Sequence, residues 1–170
     1  MKRRFIISMI LFVRFFSTLA QSEHDQAHAL LLLGIAQNTD FPVTSKEYTI
    51  TILGKSPIYE ALVAHSRNMH INGLPVKVVE VHDVHELTPA QIIYVTNEMN
   101  VVLASLASKT AQQPLLIVGA HPDHFKMGAE FSIVQLDSNT FRYNINKQAL
   151  DRRNIRVSRT LINSAHTVIQ

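Results

Sequence analysis

The chain has 170 residues, 46% of them hydrophobic, with no cysteine, no tryptophan and a formal charge of +3. That length suits one domain with a sizeable core. The lack of cysteine excludes disulfides, a cysteine nucleophile and a Cys-based zinc site.

The chain opens MKRRFIISMILFVRFFSTLAQS. Lys2, Arg3 and Arg4 form a positive region, Phe5 to Val13 a short apolar core, and Thr18 and Ala20 the small residues of a cleavage site. This is the pattern of a secretory signal peptide. Residues 1–20 are therefore expected to be removed by cleavage after Ala20, leaving residues 21–170 as a single exported domain. A membrane-spanning helix needs roughly 20 apolar residues, and Arg14 interrupts the run before that. Phe15 and Phe16 extend the apolar stretch past Arg14, so an uncleaved anchor is the competing reading. The leader holds four basic residues (Lys2, Arg3, Arg4, Arg14) and no acidic one, so residues 21–170 carry 12 basic and 13 acidic side chains, a formal charge of −1. The basic balance belongs to the leader, and the remainder has no electrostatic footprint for nucleic acid.

Past the leader, Ser22 and Asp25 have capping-box spacing, and Ala27–Ala36 (AHALLLLGIA) predicts a helix buried on most of its surface, ending near Asn38. Phe41-Pro42 turns the chain. Tyr48–Leu53 (YTITIL) is a β-branched strand closed by Gly54. Ser56 is placed to cap the next helix, with Pro57 at its first position, and that helix is expected to reach Asn68. Asn72-Gly73 predicts a turn and Val76–Val81 a second strand. Residues 82–90 connect to a third strand, Gln91–Val95. Asn97 is the expected cap of a helix running to Lys109, and Pro114–Val118 (PLLIV) the fourth strand. A short run with almost no polar residue fits a strand covered on both faces. Phe131–Leu136 and Thr140–Ile145 are joined by Asp137-Ser138-Asn139, a tight-turn composition that predicts an antiparallel hairpin. A last helix, Ser158–Val168 with Ser158 as cap, closes the chain. Strands alternating with helices predict an α/β fold: a three-layer sandwich whose mostly parallel sheet is flanked by helices, with the antiparallel hairpin toward the C-terminus.

The order and spacing of small motifs resemble the YfiR family of periplasmic proteins. The matching residues are Phe41-Pro42 (where the family usually has Trp-Pro), Gly54-Lys55-Ser56-Pro57, Gly73, and Phe125-Lys126-Met127-Gly128. Phe141 to Ile145-Asn146 and Ser158-Arg159-Thr160-Leu161 complete the set, over residues 26–166. The resemblance implies an exported, non-enzymatic regulator and places it in the periplasm. The best-known member restrains an inner-membrane diguanylate cyclase and forms dimers, so an inner-membrane signalling protein and a homodimer are the implied partners. Related domains serve as the sensing part of membrane signalling proteins. This chain departs from that member in having no cysteine, which removes redox control through a disulfide. Phe41 also replaces the tryptophan.

Nine histidines leave one chemical question open. His82-x-x-His85 follows the second strand and His121-x-x-His124 the fourth, so in a parallel sheet both pairs follow strand carboxyl ends, where ligands of open α/β sheets bind. His82, His85, His121 and His124, with Asp83 or Asp123, are candidate ligands for zinc, copper or nickel. A pocket at that edge would be lined by His82, His121, Asp123, His124, Phe125, Gly128 and Arg159. The plainer reading makes these loop histidines exposed or capping groups, and a third makes them pH sensors. Phe125 and Gly128 are read structurally as a loop anchor and a backbone turn. Asn146 is read as a cap. Arg159, in the first turn of a helix where a cation gains nothing from the dipole, calls for a carboxylate or carbonyl partner or a ligand.

No Gly-x-Ser-x-Gly elbow, phosphate loop or His-Glu-x-x-His motif is present, and no cofactor or catalytic residue is expected. Three functions stand. A protein-contact regulator would expose an apolar patch, with Ala27–Ala36 as candidate face and core packing as its alternative. A small-molecule or metal-binding domain would use the histidine loops. A hydrolase would need titratable groups converging in the same pocket.

Overall fold

The computed structural model describes residues 23–42, 45–137 and 140–169. The leader and Ser22 lie outside the described residues.

The described residues open in a helix, α1 (residues 23–37 of it are described), followed by β1 (Thr39–Asp40), β2 (Tyr48–Leu53), α2 (Ile58–Ser66), β3 (His70–Ile71) and β4 (Leu74–Val81). Next come β5 (Ile92–Val95), α3 (Asn100–Lys109), β6 (Leu116–Gly119), β7 (Phe131–Gln135) and β8 (Phe141–Asn146). The chain ends with α4 (Lys147–Arg152), β9 (Arg156–Val157), α5 (Arg159–Ser164) and β10 (Thr167–Ile169). Eight strands form one sheet in the order β10-β8-β7-β6-β5-β2-β4-β3, and β1 pairs with β9 in a separate antiparallel ladder. The central run β7-β6-β5-β2-β4 is parallel throughout. The β7–β8 hairpin is antiparallel, with Phe131 opposite Ile145.

Alternation within the strands divides the core in two. Tyr48, Ile50, Ile52, Ile92, Tyr94, Leu116 and Val118 point to one face, where α1 and α2 cover them with Leu32, Leu33, Ile35, Ile58 and Leu62. Leu53, Ile93, Val95 and Ile117 point to the other, against Leu103 and Leu106 of α3. Side chains of period two on strands covered on both faces give the short apolar runs seen in the sequence. The architecture is therefore the three-layer α/β sandwich, mostly parallel, with the late hairpin. No described helix is long and apolar enough to cross a membrane.

Several boundaries differ from the sequence expectation. The final helix stops at Ser164, where Ala165 turns extended (φ −65°, ψ 146°), and Thr167–Ile169 instead pair in parallel with β8. The β-branched Thr167, Val168 and Ile169 suit a sheet edge better than a helix end. Asn97 is no cap: it opens a 3-10 turn, Asn97–Met99, and α3 begins three residues later. Ser56 caps nothing through its side chain; its N–H donates to Glu80 Oε2 at 3.2 Å, and Pro57 holds the cap position of α2. That helix ends at Ser66, short of Asn68, which is left-handed (φ 65°). The sequence reading omits α4, although Asn146, expected as a cap, does cap it by accepting from Ala149 N–H at 3.0 Å. Ser158 caps α5 as expected, accepting from Leu161 N–H at 3.2 Å.

Candidate functional site

The chain after β2 crosses to β4 on one side, and the chain after β4 returns to β5 on the other, so strand order reverses between β2 and β5. In open α/β sheets the carboxyl ends of strands at such a reversal form the ligand crevice. Here that place is packed shut. Gly54, left-handed at φ 95°, ends β2 directly against the chain leaving β5; a Cβ there would overlap Thr96 Oγ1 and meet Met99 Cγ at 2.8 Å. Gly119 ends β6 against His124, whose ring atoms occupy the space a side chain would take.

The opening histidine pair explains the second closure. His121 Nδ1 accepts from Asp123 N–H at 3.2 Å, and His124 Nδ1 accepts from His121 N–H at 3.4 Å. Together they form a reciprocal cap on the 3-10 helix Pro122–Met127. Both Nδ1 lone pairs are thus used by backbone, and His124 is buried against Gly119. Burial, and then the neighbouring His121, hold His124 below the usual imidazole range. Lys126 grips Asp123 at 2.7 Å and keeps its carboxyl below the usual range. Pro122 O accepts from Ser132 Oγ (2.9 Å) and Asn144 Nδ2 (3.3 Å), and Phe125 O from Asn146 Nδ2 (3.3 Å). Gly128, at φ 106°, ends the turn and lies against Ala107 of α3. The loop is a clamp on β7, β8 and α3.

The other candidates lie elsewhere. β4 and β6 are separated by β2 and β5, so the two histidine pairs follow strands about 14 Å apart at ordinary strand spacing. His82 is exposed, 3.8 Å from Glu80, and its N–H is taken by Glu86 Oε2 at 3.0 Å. His85 is exposed, its N–H bound to Asp83 Oδ1 at 2.8 Å. The four histidines do not converge, and among the described residues no cluster of three or more His, Asp or Glu is arranged to hold a metal. Arg159 is exposed and makes no hydrogen bond or ion pair among the described residues, contrary to the partner expected for it.

The partnered arginine is Arg153, which the sequence reading missed. Its Nε donates to Glu130 Oε1 at 2.5 Å, and its guanidinium also donates to Thr110 O, Gln113 O (3.2 Å) and Ala107 O (3.4 Å) at the carboxyl end of α3. Glu130 Oε2 accepts from Ile117 N–H at 2.7 Å. Burial pushes the Glu130 carboxyl up, against the opposing pull of Arg153 and of that N–H. Charges this buried require such pairing.

The larger concavity lies on the α3 face. Between β4 and β5 the chain makes one 3-10 turn (Val84–Glu86) and no α-helix, so this connector adds no second helix beside α3. A groove of about 900 Å³ remains between this connector and α3. Its walls are Val84, Leu87 and Pro89 on one side and Val101, Val102 and Leu106 on the other, and it reaches Thr49, Gln91 and Leu115 at the amino ends of the central strands. Val101 stands 83% exposed on its rim. Of the sequence candidates only His85 lines it. The expected interface face on α1 is core instead: Ala29, Leu32, Ile35 and Ala36 are fully buried, and only Leu30 is exposed.

A family model described as YfiR/HmsC-like matches residues 25–166. The chain belongs to the YfiR/HmsC-like family. The motif residues that carry the sequence resemblance hold turns and caps: Gly54 and Gly128 in left-handed turns, Asn146 and Ser158 as helix caps, and Phe41 edge-on to Tyr48 at 5.9 Å. Two solved structures share the fold of this YfiR/HmsC-like chain. One, titled the ABC domain in complex with L-Trp from Streptococcus pneumoniae, has a TM-score of 0.58 at 15% identity, over 86% of this chain and 60% of that one. The other, a conserved domain protein from Vibrio cholerae O1 biovar El Tor, has a TM-score of 0.57 at 14% identity, over 85% and 60%. This chain spans 60% of each, and at such identity the likeness is one of fold alone. No curated protein matches the sequence.

Proposed function

We propose that this chain is an exported, non-enzymatic regulator that acts from the periplasm by protein contact on an inner-membrane signalling protein. The observation that carries this reading is the YfiR/HmsC-like match across residues 25–166; that family is one of periplasmic regulators in general. A diguanylate cyclase is the partner class that the resemblance implies, and a homodimer the implied assembly. The packing supports a contact function over a pocket enzyme, because the crevice at the strand reversal is filled by Thr96 and Met99 against Gly54. The contact face we assign is the groove beside α3, with Val101 on its rim.

The test is cyclic di-GMP in the native host after deletion of the gene. Deletion should raise the level, the full chain should restore it, and a version lacking residues 1–20 should not. An unchanged level on deletion removes the cyclase as target. Restoration by the leaderless version removes action from the periplasm.

A further inference from the structure

Residues 24–28 of α1 carry a polar cluster that neither the clamp nor the groove uses. His28 is 7% exposed. Its ring stacks on Phe141 of β8 (centroids 4.8 Å apart, planes at 28°), and its Nε2 shares a hydrogen bond of 3.2 Å with the Tyr94 hydroxyl of β5. One turn earlier His24 meets the same Phe141 ring edge-on at 4.8 Å, with its Nδ1 3.3 Å from Asp25 Oδ1. Two histidines four residues apart on one helix face thus grip one aromatic ring of the sheet. Among the described residues, the titratable groups facing His28 are His24 and Asp25 on its own helix and the Tyr94 hydroxyl on β5; β8 presents the uncharged Phe141 ring.

We propose that His28 is an acid-released latch: its neutral imidazole pins residues 24–30 of α1 to β5 and β8, and taking up a proton frees those turns. The geometry explains why. The ring is enclosed by two aromatic side chains, and an imidazolium there would lose its water and face His24. Burial, with His24 adding and Asp25 opposing, lowers the His28 pKa from 6.5 to about 4. Burial also pushes the Tyr94 phenol up, so that hydroxyl stays protonated throughout.

The sign follows from linkage. The docked helix holds His28 deprotonated, so docking is fully favoured above pH 6.5 and weakens as pH falls toward 4. Below that it changes no further. The docked-to-undocked ratio falls about tenfold per pH unit across that window, roughly 300-fold in all. Undocking of residues 24–30 bares Ala29 and the Tyr94 and Phe141 rings beneath that stretch, which makes the latch a route by which acidity alters what the domain presents. The latch does not depend on which partner the domain contacts.

The test is backbone amide exchange by NMR on the purified protein, comparing residues 24–30 of α1 with α3 in the same sample. The ratio of their protection cancels the direct effect of pH on exchange chemistry. It should fall about 30-fold between pH 7.5 and 5, and stay flat in His28→Phe, which keeps the packing and removes the titration. A flat ratio in the native protein, or the same fall in His28→Phe, overturns the proposal. If His28→Phe does not fold, the native His28 Cε1–H resonance decides: a titration midpoint near 4 supports the latch, and one at 6 or above overturns it.

Discussion

The carboxyl edge of the sheet and the α3 face are built from the same strands, yet one is sealed and the other open. At the sealed edge two glycines, Gly54 and Gly119, let Thr96, Met99 and His124 come down on the strand ends. The reciprocal histidine cap then ties the closing loop to β7 and β8. On the open face the crossover from β4 to β5 has no helix, and the groove is the space that helix would fill. Strand order predicts where a ligand crevice forms in an α/β sheet. It does not predict whether side chains already occupy it. The free surface here is set by what one crossover lacks.

That contrast can be broken from the sealed side. The largest effect is expected at the Glu130–Arg153 pair, where either residue alone would be left buried without its counter-charge. Arg153 also holds three carbonyls at the end of α3, so its loss strands several groups together. Arg153→Ala or Glu130→Ala should cost about 3–5 kcal/mol in urea unfolding. The double replacement Glu130→Leu/Arg153→Met should recover part of that, because it leaves no lone charge behind. A loss below about 1 kcal/mol for the single changes would mean that water already reaches the pair.

Gly54→Ala comes next. It forces a side chain into left-handed backbone and into Thr96 Oγ1, against the close approach that seals the strand reversal. A loss of about 3 kcal/mol is expected from overpacking and backbone strain combined. Gly119→Ala should cost somewhat less, about 2 kcal/mol, provided the His124 ring can swing away. If Gly54→Ala proves neutral, the crevice has slack and the sealed edge becomes a candidate pocket again.

Much of this layout was legible in the chain, but unevenly. Tyr48–Leu53 reads as a strand with both boundaries right, because β-branched residues run up to Gly54. The hairpin was legible from Asp137-Ser138-Asn139 between two alternating runs, and the caps at Asn146 and Ser158 from residue type. The histidine pairs were legible only as spacing. Whether His121 and His124 cap a turn or reach a metal depends on where Nδ1 points, and sequence does not carry that. Glu130 and Arg153 were invisible because their partnership spans 23 residues and each looks like an ordinary surface charge. The groove was invisible for a different reason: it follows from a helix that residues 82–90 do not form. α1 was legible only as a choice between two roles. Its apolar excess left a contact face and plain core packing both open, and the structure takes the second: Ala29, Leu32, Leu33, Ile35 and Ala36 join the core with Tyr143 and Leu161.

The smallest effect on stability, and the most telling, belongs to Val101→Asp. Val101 is 83% exposed in the first turn of α3, so removing its side chain loses little packing, and an acid there suits the helix dipole. The urea midpoint should shift by no more than about 0.5 kcal/mol. The same change puts a charge on the rim of an apolar groove. If the groove is the contact face, a partner must bury that charge, and regulation of cyclic di-GMP should fail although the domain is as stable as before. Lys126→Ala is the matching change on the sealed edge: exposed, in contact with Asp123 and the Phe125 ring, and expected to alter neither stability nor regulation. The pair of variants separates the two regions by function alone. Failure of Lys126→Ala with Val101→Asp intact would move the contact face to the histidine-capped edge and leave the groove a by-product of the missing helix.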